Sequence, residues 1–266
     1  MIVLLIPARY ASSRYPGKPL VPLRGAGGVE KPLIQWTWEA GRAVPEADAV
    51  YVATDDARIF DAARGFGAEA IMTDAACRNG TERCADALAR AGIAAEIVVN
   101  LQGDAPLTPP WFLSELIAAM QADPGLDAAT PVLRCDGETL ALFREDRRNG
   151  RVGGTTAVFD ARGDALYFSK EVIPYTGEAT PAPGAATPVF HHVGVYAYRP
   201  KALAAYGAWP EGPLEKLEGL EQLRFLENGA RLRCVEVEAR GRMFWELNNP
   251  ADVARIETIL QKDLPA

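Results

Sequence analysis

The sequence is short of the residues that several common chemistries require. It has 4 cysteines, none of them in a Cys-x-x-Cys pair, and 2 histidines, which stand side by side at His191 and His192. Zinc-finger spacing is absent, so no structural zinc site is expected. No run approaches about 18 apolar residues, and residues 1–7 are too short for a signal h-region and lack a basic n-region. The expectation is a cytoplasmic protein with reduced thiols and no membrane span. Basic residues (28) fall short of acidic ones (35), giving a formal net charge of −7. A broad nucleic-acid surface is therefore not expected, although a compact pocket for a small anion remains compatible with this balance. No Gly-x-Gly-x-x-Gly follows the first apolar run, no Gly-x-x-x-x-Gly-Lys-Ser/Thr occurs, and no Gly-x-Ser-x-Gly elbow is found. Those absences argue against a nicotinamide dehydrogenase, a Walker-type NTPase and a serine hydrolase.

What is present is ordinary globular composition: 266 residues, 48% hydrophobic and 24% charged. Residues 2–6 are continuously apolar, as in a strand buried on both faces of a parallel sheet, and Pro7 is expected to stop it. Helical periodicity follows at Leu33, Ile34, Trp36, Thr37 and Ala40, then a strand over 49–53, with an aspartate of the pair Asp55-Asp56 capping the next helix. Strands are expected again at 68–72 and 97–101, each preceded by a helix, so the order is βαβαβαβ. This alternation predicts an α/β fold with a mostly parallel sheet and helices on both faces, and ligands gather at the carboxyl ends of such strands. Beyond residue 127 the pieces are shorter and β-rich: 128–133, 155–160, 165–169 and 193–198, expected as mixed or antiparallel additions. Residues 175–188, rich in Pro, Ala, Gly and Thr, read as a loop, 217–227 as one helix, 231–237 as a strand, and 250–260 as a last helix capped by Asn249.

The chemistry gathers in the loops after the strands. The first, Pro7-Ala8-Arg9-Tyr10-Ala11-Ser12-Ser13-Arg14-Tyr15-Pro16-Gly17-Lys18-Pro19, combines three cations with small hydroxyl residues and a glycine, which suits a polyphosphate. Asp104, in Leu101-Gln102-Gly103-Asp104, follows the fourth expected strand. There it would face that loop as an oxygen ligand for a hard cation, or serve only as a turn former. Glu221 and Gln222 could equally be the solvated face of an amphipathic helix, and the two histidines ordinary neighbours before a strand. Arg83 lies near a helix start, where the dipole disfavours a cation, so an anionic ligand nearby would account for it.

PARYASSRYPGKPL (7–20), NGTER (79–83), LQGDAPL (101–107), ALYFSK (165–170), HHVGVYAYR (191–199) and PLEKLEGLEQLRFLENG (213–229) occur together in this order. In that combination the chain resembles the CMP-Kdo synthetases, the 3-deoxy-manno-octulosonate cytidylyltransferases, over nearly its whole length. The resemblance implies a Rossmann-like nucleotidyltransferase fold in one domain, residues 1–266. Its parts would be a nucleotide-binding half (about 1–127), a mixed β-rich sugar-binding and dimerisation subregion (about 128–210), and a return to the main sheet (211–266). It implies transfer of CMP from CTP to the anomeric hydroxyl of Kdo or a close ulosonic acid, with release of pyrophosphate, for lipopolysaccharide or capsule synthesis. The implied nucleotide contacts are Pro7, Ala8, Arg9, Lys18, Gln102 and Asp104, with Arg9, Lys18 and Asp104 catalytic. The implied contacts to the acidic keto-sugar are Ser13, Arg14, Arg83, His192, Tyr196, Glu221 and Gln222. Mg²⁺ would sit on Asp104 and at Asn248, and the expected assembly is a homodimer.

The sequence departs from the family at the metal position. Where relatives carry a V-D-x-P-x-D segment, this chain reads Leu247-Asn248-Asn249-Pro250-Ala251-Asp252. Asn248 keeps a carbonyl oxygen but drops a negative charge, which predicts weaker Mg²⁺ binding unless Glu246 or Asp252 takes the role. Rival readings are a nucleotidyltransferase with another nucleotide or acceptor, and a catalytically weakened nucleotide-binding paralogue.

Overall fold

The first apolar run does become a fully buried strand, and its alternate residues divide between two cores. In the computed structural model, which describes residues 1–262 except 13, 14, 153, 178–180 and 243, β1 spans Ile2–Ala8. Ile2, Leu4, Ile6 and Ala8 pack on one face and Val3 and Leu5 on the other, the period of 2 expected of a strand. Each fully buried aliphatic side chain of this kind contributes roughly 1.5–3 kcal/mol.

A small antiparallel hairpin, β2 (Pro22–Arg24) and β3 (Glu30–Pro32), leads into α1 (Leu33–Arg42). Then come β4 (Ala49–Thr54), α2 (Ala57–Gly65), β5 (Glu69–Met72), α3 (Gly80–Ala91), β6 (Ile97–Asn100) and α4 (Pro110–Ala122). Asp56 caps α2 by accepting from the Arg58 amide at 3.0 Å, as the sequence suggested. The second half holds β7 (Ala128–Asp136), α5 (Gly137–Arg148), β8 (Thr155–Phe159), β9 (Ala165–Ser169), β10 (Ala186–His192) and β11 (Tyr196–Tyr198). It ends with α6 (Pro200–Ala208), α7 (Pro213–Glu218), α8 (Leu223–Glu227), β12 (Leu232–Glu236) and α9 (Asp252–Leu260).

Ten strands form one sheet in the order β5-β4-β1-β6-β11-β7-β10-β8-β9, with β12 against β7. The pairings make β5, β4, β1, β6, β7, β12 and β8 run one way and β11, β10 and β9 the other. Residues of α1, α2 and α4 cover one face, and residues of α3, α6 and α8 the other. β10 and β11 lie end to end along β7, interrupted at residues 193–195. On their far side β11 pairs with β6 but β10 pairs with β8, so the sheet divides there. Thr130 of β7 fills the interruption, its Oγ1 lying 3.2 Å from the Val193 carbonyl and 2.8 Å from that of Val195.

Several expectations are corrected. Pro7 does not end β1; the strand continues to Ala8 because Pro7, paired with Ala53 on β4, needs no amide to keep that register. The loop expected over 175–188 gives way to β10 from Ala186, whose pairing partners on β7 and β8 override its Pro-rich start. The strand expected over 193–198 is confined to Tyr196–Tyr198. The single helix expected over 217–227 is broken at Gly219, which adopts a left-handed φ of 61° open to glycine at little cost. Asn249 does not cap the last helix: the cap position is Ala251, and Asp252 instead reaches back to the amides of Asn248 (3.0 Å) and Asn249 (2.7 Å).

Candidate functional site

A cleft of about 820 Å³ opens where the sheet divides, at the carboxyl ends of β1 and β6. Pro7, Ala8, Arg9, Lys18, Arg83, Gln102, Asp104, His192, Tyr196, Glu221, Gln222 and Asn248 all line it. Ser13 and Arg14 lie outside the described residues. The topology thus brings together side chains drawn from both halves of the chain.

One wall is built from the loops after β1 and β6. Lys18 Nζ donates to Asp104 Oδ2 and, at 3.2 Å, to the Leu247 carbonyl. The Leu247 amide in turn donates to the Asp104 carbonyl at 2.8 Å, so the segment before α9 is laid directly on the loop after β6. Arg9, exposed on the rim, has no ion-pair partner among the described residues. Gln102 lies against the first turn of α3: a Cβ placed on Gly80 would stand 2.7 Å from Gln102 Nε2, so a bare glycine is what lets the amide rest there.

The oxygens around Lys18, a carboxylate and a peptide carbonyl, are hard donors already arranged about a cation. Among the described residues no group of three or more His, Cys, Asp or Glu is close enough to hold a metal ion. A Mg²⁺ ion suits such a site, since it commonly takes one or two carboxylates and completes its shell with water and substrate phosphate. Asn248 and Glu246 line the same side of the cleft, with Asn248 Nδ2 3.5 Å from Glu246 Oε2. Asp252 is not part of this donor set, because its carboxylate is taken by Trp245 Nε1 (3.0 Å) and by the two asparagine amides.

The opposite wall is apolar and aromatic, with a few polar groups held in it. His192, 7% exposed, places Nε2 3.0 Å from Thr130 Oγ1. The single Thr130 proton faces the Val195 carbonyl, so the hydroxyl accepts from His192, and the neutral ring is assigned its proton on Nε2. Burial, reinforced by the adjacent His191, pulls the His192 pKa down to about 3. Burial and the Arg147 charge pull that of His191 to about 4. Tyr196 donates its hydroxyl to Gln222 Oε1 at 3.1 Å, and burial, then the neighbouring Glu221, raises its pKa well above the phenolic range. It remains a donor at any working pH.

Glu221 and Gln222 fall in the break after Gly219 rather than on a helical face, which removes the solvated-helix alternative. Gln222 is 2% exposed, and its Nε2 has no hydrogen-bond partner among the described residues. An unmet buried donor costs roughly 1–3 kcal/mol, a cost that an acceptor on a ligand would remove. The Glu221 carboxylate accepts from the Thr81 amide at 3.2 Å; burial raises its pKa, and that amide only partly offsets the rise. Arg83, 3% exposed, is matched inside the protein, with Nη1 2.5 Å from Thr73 Oγ1 and 3.2 Å from Asp55 Oδ1. Asp55 thus accompanies this cation inside the protein, while Arg83 also lines the cleft.

Sequence reasoning did not anticipate Thr139, Phe143, Gly154 or Trp245 as lining residues. The first two come from α5, an unpredicted helix whose signal was available: Asp136 caps it by accepting from the Thr139 amide at 2.8 Å, and Leu140 and Phe143 follow at helical spacing.

Residues 3–236 match the sequence model of the family described as cytidylyltransferase. The chain belongs to the cytidylyltransferase family. Within it, this cytidylyltransferase is 46% identical over 259 residues to the 3-deoxy-manno-octulosonate cytidylyltransferase of Maricaulis maris (strain MCS10), covering 97% of this chain and 96% of that one. It is 38% identical over 264 residues to the 8-amino-3,8-dideoxy-manno-octulosonate cytidylyltransferase of Shewanella halifaxensis (strain HAW-EB4), covering 98% and 99%. A solved structure of CMP:2-keto-3-deoxy-manno-octonic acid synthetase complexed with CTP superposes with a TM-score of 0.83 at 35% identity, covering 99% of each chain.

Proposed function

We propose that this cytidylyltransferase transfers CMP from CTP to the anomeric hydroxyl of 3-deoxy-manno-octulosonate or its 8-amino analogue, releasing pyrophosphate. The observation that carries the reading is the meeting of Lys18 and Asp104 at one wall of a cleft whose other wall presents Tyr196 and the unmet Gln222 amide. The relatives' names supply both acceptors.

In this reading the loop after β1 receives the triphosphate. Arg9, on the rim, meets the phosphate oxygens, and Lys18 turns from Asp104 toward the bridging oxygen that departs with pyrophosphate. Asp104, with Asn248 or Glu246 beside it, would hold Mg²⁺, and the ion would neutralise charge on the phosphates. Gln102 lies at the base. On the facing wall Tyr196 and Gln222 meet the sugar hydroxyls, and His192, kept neutral, adds no charge to repel or attract the sugar carboxylate. The new bond joins the anomeric oxygen to the α-phosphorus while the bond from that phosphorus to the β-bridging oxygen breaks, and the hydroxyl proton is released to water. Alignment of the two reactants does most of the work.

The homodimer belongs to the same proposal. β9 forms one edge of the sheet and carries Leu166, 63% exposed, which favours pairing with a second copy. Sedimentation velocity tests it, and a monomer at micromolar concentration would reject it.

The activity is tested by pyrophosphate release in a matrix of CTP, UTP, GTP and ATP against Kdo, its 8-amino analogue and sugar phosphates. CTP with one of the two ulosonic acids is expected to give the highest kcat/KM. Equal turnover of a sugar phosphate would overturn the acceptor assignment, and tight nucleotide binding with no turnover would leave a non-catalytic paralogue.

A further inference from the structure

The break that carries Glu221 and Gln222 is held by turn hydrogen bonds, and two buried side chains outside the cleft lining fix it to the rest of the protein. Arg224, 0% exposed, donates from Nη2 and Nε to the two carboxylate oxygens of Glu215, both at 2.6 Å, and from Nη1 to Glu82 at 3.0 Å. Its guanidinium lies 4.2 Å from the ring centroid of Tyr206. The Tyr206 hydroxyl accepts from Asn79 Nδ2 at 2.9 Å and donates to the backbone carbonyl of Glu221 at 3.2 Å. Asn79 in turn caps α3 by accepting from the Glu82 amide at 2.8 Å, and Thr81 in the same turn donates to the Glu221 carboxylate. The circuit runs from Asn79 through Tyr206 to Glu221, and from Arg224 through Glu82 back to Asn79.

A circuit of this kind contributes little to net stability, because desolvating the buried charges offsets most of their attraction. Burial pulls the Arg224 pKa down, and the Glu215 carboxylate more than reverses this, so the charge is retained and must be accommodated. What the planar fork does supply is orientation, since few arrangements of Glu215 and Glu82 satisfy it. The element so oriented is the acceptor wall, through Glu221 and its neighbour Gln222.

We propose that Tyr206 and Arg224 are positioning residues for the acceptor: they hold Glu221 and Gln222 against the start of α3, and their loss weakens acceptor recognition while leaving nucleotide recognition in place. This rests on assigning that wall to the acidic sugar. Neither residue lines the cleft, so their effect is transmitted by Glu221 and Gln222.

Tyr206→Phe is the decisive variant, because it keeps the ring under the guanidinium and removes only the hydroxyl. It is expected to raise the acceptor KM about tenfold while the CTP KM moves less than about twofold, the scale of a lost hydrogen bond. Arg224→Lys, which keeps the charge but not the fork, is expected to follow the same pattern. Backbone hydrogen exchange over residues 219–224 should quicken in Tyr206→Phe, with β1 and β6 unchanged. Unchanged exchange with unchanged KM values would overturn the proposal. So would a general rise in exchange with both KM values raised in proportion, since that is a merely structural role. Exchange needs no turnover: a wild-type protein inactive on every ulosonic acid would reject the acceptor assignment, whereas exchange unchanged over 219–224 would reject the anchoring by Tyr206 itself.

Discussion

Lys18 and Asp104, 86 positions apart in the chain, meet at the carboxyl ends of β1 and β6, the ammonium donating to Oδ2 of the carboxylate. Both are largely shielded, with side chains 14% and 23% exposed, so the pair is screened less than a surface ion pair. Each is thus a ready partner for a ligand of opposite charge to its own: phosphate for the lysine, a divalent cation for the aspartate.

Asp104→Asn should separate those roles. It is expected to lower kcat by about 100-fold or more, the scale of losing one electrostatic stabiliser at developing charge. CTP binding measured in chelator should stay the same or tighten, because Lys18 is released toward phosphate. Lys18→Met should raise the CTP KM instead. Calorimetric CTP titrations with and without Mg²⁺, set beside steady-state rates, distinguish the two, and equal effects on both quantities would contradict the division.

The buried histidines predict acid sensitivity with a definite sign. In the unfolded chain both titrate near 6.5, whereas the fold holds His191 down to about 4 and His192 to about 3. Between these limits the unfolded state binds more protons, so the stability due to each neutral ring is complete above pH 6.5 and lost as pH falls toward the folded values. The loss is at most about 1.4 kcal/mol per pH unit for each ring. Tm followed from pH 7.5 to 4.5 should fall, and the His191→Gln/His192→Gln double variant should flatten that slope. A slope identical in both proteins would show that other groups govern it.

Gly80→Ala offers a fold-neutral probe of the nucleotide wall. The atoms nearest the added Cβ all belong to the amide end of Gln102, a flexible group that can swing away, and alanine is well tolerated in a first helical turn. Tm is therefore expected to shift by no more than a few tenths of a kcal/mol equivalent, while the CTP KM rises severalfold as Gln102 is displaced. A loss of Tm without a change in KM would place Gln102 away from the base.

Asn248→Asp tests the metal side of the cleft by physical rather than catalytic means. A carboxylate at 248 would crowd Glu246 and the Asp104 loop, lowering Tm in chelator through like-charge repulsion. Mn²⁺ or Mg²⁺ should then bind on the order of tenfold more tightly than to the parent, because each added ligand charge strengthens a hard-cation site. Mn²⁺ titration by electron paramagnetic resonance reads this directly, and no gain in affinity would remove residue 248 from the metal shell.

The parallel half of the fold was legible because its signals are local. Continuous apolar runs such as 2–6 can be satisfied only by burial on both faces, and Asp56 or Pro110 announces a helix start within a few residues. The other half depends on distant partners. β10 carries Thr187 and Pro188 and looks like loop until β7 and β8 are beside it, and α5, with several arginines near its end, looks like solvent-facing linker until Phe143 is seen in the cleft wall. Cleft residues embedded in dense motifs were legible for the same local reason. The engagement of Arg83 by Asp55, and the loss of Asp252 to Trp245 and two amides, depend on chain reversals that spacing does not encode.

The interruption between β10 and β11 sets how this enzyme can diversify. β6 pairs with β11 and β8 with β10, so these two strands are joined through β7 and through residues 193–195 rather than to each other, and the backbone beyond the fork can lengthen or shorten with little effect on the register of β1 or β6. One side of the fork can therefore be remodelled while the other is kept, and Thr130, seated at the fork and joined to His192 and to the Val193 and Val195 carbonyls, is a point where a change would disturb both sides at once.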